Sequence, residues 1–405
     1  MKRSLYILTT CLLLGVLLLT ACDRDTLYQE WEGSEQSVVN GTVNSYLNLR
    51  IVNGSPNTTR ATAAEENAIY DGILIFFVGN GETSAKLKSA VVIDQLINNP
   101  GSSNTVNIVQ QLPVNLRPYP ASGSGKIYVM ALLNTTSTGF SVTNNMLYLN
   151  GESLADKTRE QLQAMKVNSV GSTDKHVGLY MASKPKGTGS TPEQTAIQIY
   201  DPDLTPQYLY DSQSDITPTS DKLTLNVERA AAKVCVTNSI GTNPLSTISI
   251  NGTDNHPKVH AMRWNVKNYN LTSFAIRNTS STNTPEYPDI SNKWLTSGDD
   301  FYMGENTSAE VVVELQLKDA SSVLLTPLYI YSGVTDRVFT SEAEAQNHIG
   351  VGYNAANLTL CTDGKVYYTF KVNNDNTMNY LVERNTFYNL TLKTSSITSV
   401  GRPTP

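Results

Sequence analysis

Charge is scarce in this chain. Asp, Glu, Lys and Arg make up 16% of its 405 residues, with a net charge of −6, where an average globular protein has about a quarter. That balance offers no basic surface for a polyanion, so nucleic acid is not expected as a partner. Histidine and cysteine number four each, too few for a metal-rich or disulfide-stapled fold. The chain contains no G-x-S-x-G elbow and no H-E-x-x-H pair, and those spacings are what a nucleophilic serine or a zinc site needs. The remaining candidates for chemistry are weak. Ser122-Gly123-Ser124-Gly125-Lys126 lacks the first Gly of a phosphate loop and has Ile127 where a magnesium-binding hydroxyl belongs, so it reads as a turn. His256 and His260 stand near Asp254, but Pro257 forbids the helix that would align them. Asp299 and Asp300 follow the turn pair Ser297-Gly298 with no identifiable partner. No enzyme activity, metal or cofactor is expected.

Polarity is carried instead by 45 Thr and 38 Asn, and 21 of the 32 aromatic residues are Tyr. Thr and Tyr suit pleated, half-buried surfaces, while Asn, Gly and Pro punctuate turns. The hydrophobic period is two almost everywhere. Val43, Ser45, Leu47, Leu49 and Ile51 alternate with Asn44, Tyr46, Asn48 and Arg50, a strand with one buried face. Further strands are expected over 69–78, 126–134, 223–227, 311–317, 325–331, 366–372 and 387–392. The stretch 126–134 is nearly continuous in apolar character and is expected to be central. Many short strands between turn clusters predict an all-β chain of sandwich type. Two short helices are expected. One spans 152–166, with Leu154, Leu162 and Met165 on one stripe and Ser153 and Asp156 as a capping box. The other covers 341–348. The polar, proline-bearing stretch 211–221 is the best domain boundary.

The first 21 residues are an address. Lys2 and Arg3 precede an apolar run over 6–19, too short for a span but right for a signal peptide. Leu19-Thr20-Ala21-Cys22 looks like the lipobox of bacterial lipoproteins, with Cys22 as the lipidated residue. The alternatives are an ordinary signal peptide with an incidental Cys and an uncleaved anchor. Loss of 1–21 would remove Lys2 and Arg3 and move the net charge from −6 to −8. Cys235 and Cys361 would remain as thiols. Cys235, between Val234 and Val236, reads as a small buried hydrophobe, and a disulfide between the two stays open. Downstream of the 43–51 strand, Thr59-Arg60-Ala61 places an Arg among small residues, a good trypsin-like cleavage site. An ordinary surface Arg is the plain alternative.

Taken in order, several segments resemble the fimbrillins, subunits of type V pili, and among them the shaft subunits of minor fimbriae. These are the lipobox, the alternating strand, Thr59-Arg60-Ala61, and Ile69-Tyr70-Asp71-Gly72-Ile73-Leu74-Ile75-Phe76-Phe77-Val78. Later matches are Leu179-Tyr180-Met181-Ala182-Ser183-Lys184-Pro185, Val227-Glu228-Arg229-Ala230, and Val382-Glu383-Arg384-Asn385. The resemblance implies two tandem transthyretin-like Greek-key sandwiches. It divides the chain into a signal peptide (1–21), a lipidated tether with a removable first strand (22–60), an N-terminal domain (61–222) and a C-terminal domain (223–405). It further implies export as an outer-membrane lipoprotein and cleavage after Arg60 by an Arg-specific protease, giving Ala61 as the new terminus. Other fimbrial subunits would then supply a replacement strand at the cell surface. Burial of Val43, Leu47, Leu49 and Ile51 is worth about 6–12 kcal/mol, comparable to a whole domain's stability, so loss of the strand would leave a groove in need of filling. Members of that family extend past their final strand with a donor arm, whereas this sequence ends at Pro405. A terminal, strand-accepting subunit is one expectation from that ending. A lipoprotein that stays monomeric and binds glycans or host proteins is the alternative role.

Overall fold

The computed structural model describes residues 45–53, 68–93, 105–113, 116, 125–170, 178–184, 196–201, 208–278, 283–372 and 382–401. The described residues are almost entirely β-strand and turn, with two short α-helices among them. The first part contains β1 (Tyr46–Asn53), β2 (Gly72–Gly79), β3 (Lys86–Val92), β4 (Thr105–Gln111) and β5 (Lys126–Leu133). A small meander follows, β6 (Phe140–Thr143), β7 (Met146–Leu149) and β8 (Glu152–Ser153), leading into helix α1 (Arg159–Gln163). Then come β9 (Lys166–Asn168), β10 (Met181–Ser183), β11 (Ile197–Tyr200), β12 (Leu209–Tyr210) and β13 (Leu223–Arg229).

Nine of these strands form one sheet in the order β3-β2-β5-β10-β13-β1, with β11 beside β5 and both β4 and β12 beside β1. Its two faces serve two cores. Leu74 and Phe76 of β2 and Val129 and Ala131 of β5 join Leu47, Leu49 and Ile51 on one side. Ile75 and Phe77 of β2 and Met130 and Leu132 of β5 pack on the other, against Leu147, Leu154 and Leu162. A strand covered on both faces has no polar side to show, hence the unbroken apolar runs of β2 and β5.

The second part contains β14 (Ala231–Asn238), β15 (Ser249–Ile250), β16 (Lys258–Lys267), β17 (Thr272–Phe274), β18 (Asp300–Gly304) and β19 (Glu310–Lys318). It continues through β20 (Leu328–Tyr331), β21 (Val334–Phe339), helix α2 (Glu342–Ile349), β22 (Leu358–Cys361), β23 (Lys365–Lys371) and β24 (Phe387–Leu392). Three sheets, β18-β14-β24, β15-β21-β20-β22 and β16-β19-β23, enclose a core built on Val234, Trp264, Phe301, Val313, Leu328 and Val366. Cys235 and Cys361 are both buried thiols, not bonded to each other, and burial pushes the Cys235 thiol up from its ordinary value.

Two expectations change. The helix over 152–166 shrinks to α1, because Glu152 and Ser153 pair with β7 and Asp156 takes a left-handed φ of 60°, which no right-handed helix accommodates. The capping box is made instead by Thr158 and Gln161. The second change concerns 223–229. β13 does not pair with the strands that follow it; it lies in the first sheet, parallel to β1 and antiparallel to β10. Its Leu223, Leu225 and Val227 fill the same core as Leu47, Leu49 and Ile51. The core of the second part begins with Ala232 of β14.

Candidate functional site

β1 is an interior strand of alternating character. Leu47, Leu49 and Ile51 are fully buried while Arg50, between them, is exposed. Odd-numbered residues of β1 turn their backbone groups toward β4, which runs antiparallel along Tyr46 to Val52; Ser45 O accepts from Leu112 N at 2.9 Å. Even-numbered residues face the other edge, which β13 takes over Leu49 to Asn53 and β12 over Tyr46 and Leu47. There Asn48 N donates to Tyr208 O at 3.2 Å. Both β4 and β12 have β1 as their sole strand partner among the described residues.

The outward face of β1 carries a second contact. Asn48 is buried beneath the turn at 217–221, and its Nδ2 donates to Asp221 O at 3.0 Å and to Ser220 O at 3.5 Å. The stretch that sequence alone reads as a domain boundary is a strap across β1. Tyr210 Oη donates to Asp221 O from the β12 side at 3.2 Å.

At Ala68, ahead of β2, the backbone is tied down by side chains. Asn134, in the left-handed conformation (φ 55°) at the end of β5, donates from Nδ2 to Ala68 O at 3.0 Å and to Leu179 O at 2.9 Å, and accepts from Tyr70 N at 2.8 Å. Asp71 accepts from the hydroxyls of Thr135 and Thr136, both at 2.7 Å. Of the residues expected to act, Leu47, Leu49 and Ile51 thus share one core, whereas Cys22, Val43, Arg60 and Ala61 lie outside the described residues.

Sequence reading did not anticipate the polar joint between the two parts. β17 pairs antiparallel with β9, and two ion pairs flank it. Arg277 grips the buried Glu228 through Nε and Nη2, both at 2.8 Å. Arg384, fully buried, reaches Glu305 through Nε at 3.0 Å and Nη2 at 2.7 Å, and donates to Phe274 O at 2.6 Å. Tyr180 Oη donates to Ala275 O at 2.8 Å, and burial raises its phenol well above the ordinary range. Gly304 has no room for a side chain, since a Cβ there would stand 1.9 Å from Thr272 O. Glu228 and Arg384 belong to the motifs that carry the fimbrillin resemblance, but their partners lie 49 and 79 residues away. No local spacing could have found them.

The weaker candidates for chemistry make the following contacts. His256 Nδ1 lies 2.7 Å from Ile248 O, and no cluster of metal-binding side chains occurs among the described residues. Asp299 caps a turn, accepting from Thr296 N at 2.7 Å and Thr296 Oγ1 at 2.8 Å; those bonds hold its carboxyl below the usual range. Asp300 pairs with Lys233 at 2.7 Å, and Lys126 pairs with Asp201 at 2.7 Å.

No protein-family profile and no curated protein matches the chain. Among solved structures it is similar to a fimbrial assembly protein from Parabacteroides distasonis, at 14% identity and a TM-score of 0.42, covering 88% of this chain and 92% of that one. It is also similar to a C-terminally truncated tip fimbrial protein from Porphyromonas gingivalis, at 11% identity and a TM-score of 0.31, covering 71% of this chain and 83% of that one.

Proposed function

We propose that this chain is a non-enzymatic subunit of a cell-surface fimbria, exported as a lipoprotein through Cys22 and matured by an Arg-specific protease that cuts after Arg60. Cleavage frees β1, and a strand from another subunit takes its place. The observation that carries this reading is the position of β1. It is paired along both edges and fully buried on one face, yet its link to the rest of the chain runs through Thr59-Arg60-Ala61. Departure of β1 opens a groove between β4 and β13, with backbone groups unpaired on both sides, a template for strand addition. The anchors at Ala68, Tyr70 and Asp71 keep β2 in place when the link is cut.

The test is to treat the purified full chain with an Arg-specific protease, sequence the new terminus, and run unboiled gels. Ala61 at the terminus together with a ladder of multimers is the expected result. An Arg60→Ala chain should stay uncut and monomeric. Generalised degradation with no Ala61 terminus would refute maturation by this route.

A second reading, a monomeric glycan-binding lipoprotein, is favoured by one observation. Trp294 and Tyr367 lie with ring centroids 6.1 Å apart and partly exposed, and the Arg263 guanidinium stands 4.7 Å over the Trp294 ring. Aromatic faces of this kind stack on sugars. Selective binding of the uncut monomer on a glycan array, lost in Trp294→Ala, would support it.

A further inference from the structure

We propose that Asn48 sets the register of whichever strand occupies the groove, so that a replacement for β1 must carry an Asn-sized amide donor at that position. The inference rests on the strand-exchange reading above and adds the chemistry of the partner segment to it.

A strand seated between β4 and β13 makes the same backbone ladder in any register that keeps its faces correct. A slip of one residue turns the apolar set outward and is excluded, but a slip of two is not. The inward positions discriminate poorly among such slips, because Leu47, Leu49 and Ile51 are alike in size and polarity. The outward positions are unlike one another. Asn48 is buried beneath Ser220 and Asp221 with both carbonyls as acceptors, while Arg50, two residues on, is exposed. Slipping by two residues brings Arg50 or Tyr46 under the turn. A guanidinium there loses its hydration, and a phenol ring exceeds the space an amide fills.

The turn has its own internal bonds, Thr217 N to Ser220 Oγ at 2.8 Å and Ser220 N to Thr217 O at 3.0 Å, so it presents its carbonyls in a fixed place. The orientation follows from the pairing, parallel to β13 and antiparallel to β4. The groove therefore fits an extended segment of another subunit with the pattern apolar, amide, apolar, any, apolar.

The full chain, cut by an Arg-specific protease, is incubated with an excess of labelled peptides spanning residues 45–53, and captured peptide is measured by native mass spectrometry. The parent peptide should be captured. Peptides carrying Asn48→Asp, the same shape without a donor, or Asn48→Leu should be captured about tenfold less or weaker still, the loss expected when a buried acceptor forfeits its donor. Capture of the Asn48→Asp peptide within about twofold of the parent would overturn the register role and leave strand exchange standing. Capture of no peptide would overturn both.

Discussion

Replacing Leu49 by Ala removes the middle of the three inward side chains of β1. The residue is fully buried, opposite Ile108 of β4 and Leu223 of β13 in the same core. A Leu→Ala change at such a site costs about 2–5 kcal/mol, the lost transfer energy plus a cavity. Leu47, Leu49 and Ile51 together contribute about 4.5–9 kcal/mol, an upper estimate, so one truncation takes a large share of what the strand supplies. The cost should appear first where β1 is the sole strand partner. Hydrogen exchange resolved by peptide should speed up in 45–53, in β4 (Thr105–Gln111) and in β12 (Leu209–Tyr210), with much smaller change in β19. Trp264 and Trp294 lie in the second part and the third tryptophan, Trp31, precedes β1, so in a Trp31→Phe background tryptophan fluorescence reports the second part separately in the same denaturation series. Arg50→Ala, on the exposed face of the same strand, should stay within about 0.5 kcal/mol of the parent. A Leu49→Ala chain that loses less than about 1 kcal/mol, or one whose β4 amides keep their protection, would refute the assignment of β1 as the strand that holds β4 and β12.

Three further outcomes follow from the same contacts. Arg384→Ala removes the cation bonded to Glu305 in the joint and should cost about 3–5 kcal/mol, with exchange rising in β17 and β9; a loss under about 1 kcal/mol would remove the ion pair from the joint. At Glu314, burial opposes ionisation, but the Arg263 fork and Lys365 outweigh it and hold the carboxyl below its usual value. A depressed carboxylate adds stability that is present above about pH 4.3, the ordinary Glu value, and lost as pH falls through the lower folded value. Glu314→Gln should therefore flatten the acid limb of a thermal-stability profile of the second part, and an unchanged limb would contradict it. Cys235 and Cys361, being buried, should resist a thiol reagent in the native chain and react only on unfolding; rapid native labelling of either would contradict their burial.

Local pattern and topology were legible to different degrees, for a physical reason. Strands buried on both faces, such as β5, and strands of clean alternation, such as β1, declare themselves through side-chain period alone. So does α2, which Ser341 caps by accepting from Glu344 N. Period says nothing about which sheet a strand joins. β13 has the alternation of an opening strand, yet its partner β1 lies more than 170 residues upstream, and only the folded chain brings Leu225 to Ile51. The stretch 211–221 follows the same rule: a polar turn that straps a strand and a polar domain boundary have the same composition. The expected helix over 152–166 is longer than α1 because Leu154 and Leu162 do point into one core, but only Leu162 does so from the helix. Of the site, the inward side chains of β1 were visible in sequence. Asn48 was not, because a buried amide and a solvated one look alike until the strap above it is placed.

The central claim is that β1 is a replaceable strand released at Arg60, and native mass spectrometry of the protease-treated full chain tests it most directly. The account predicts species that have lost everything before Ala61 and that are built of two or more subunits. Monomers that retain the segment before Ala61 in the groove after complete cleavage would contradict it.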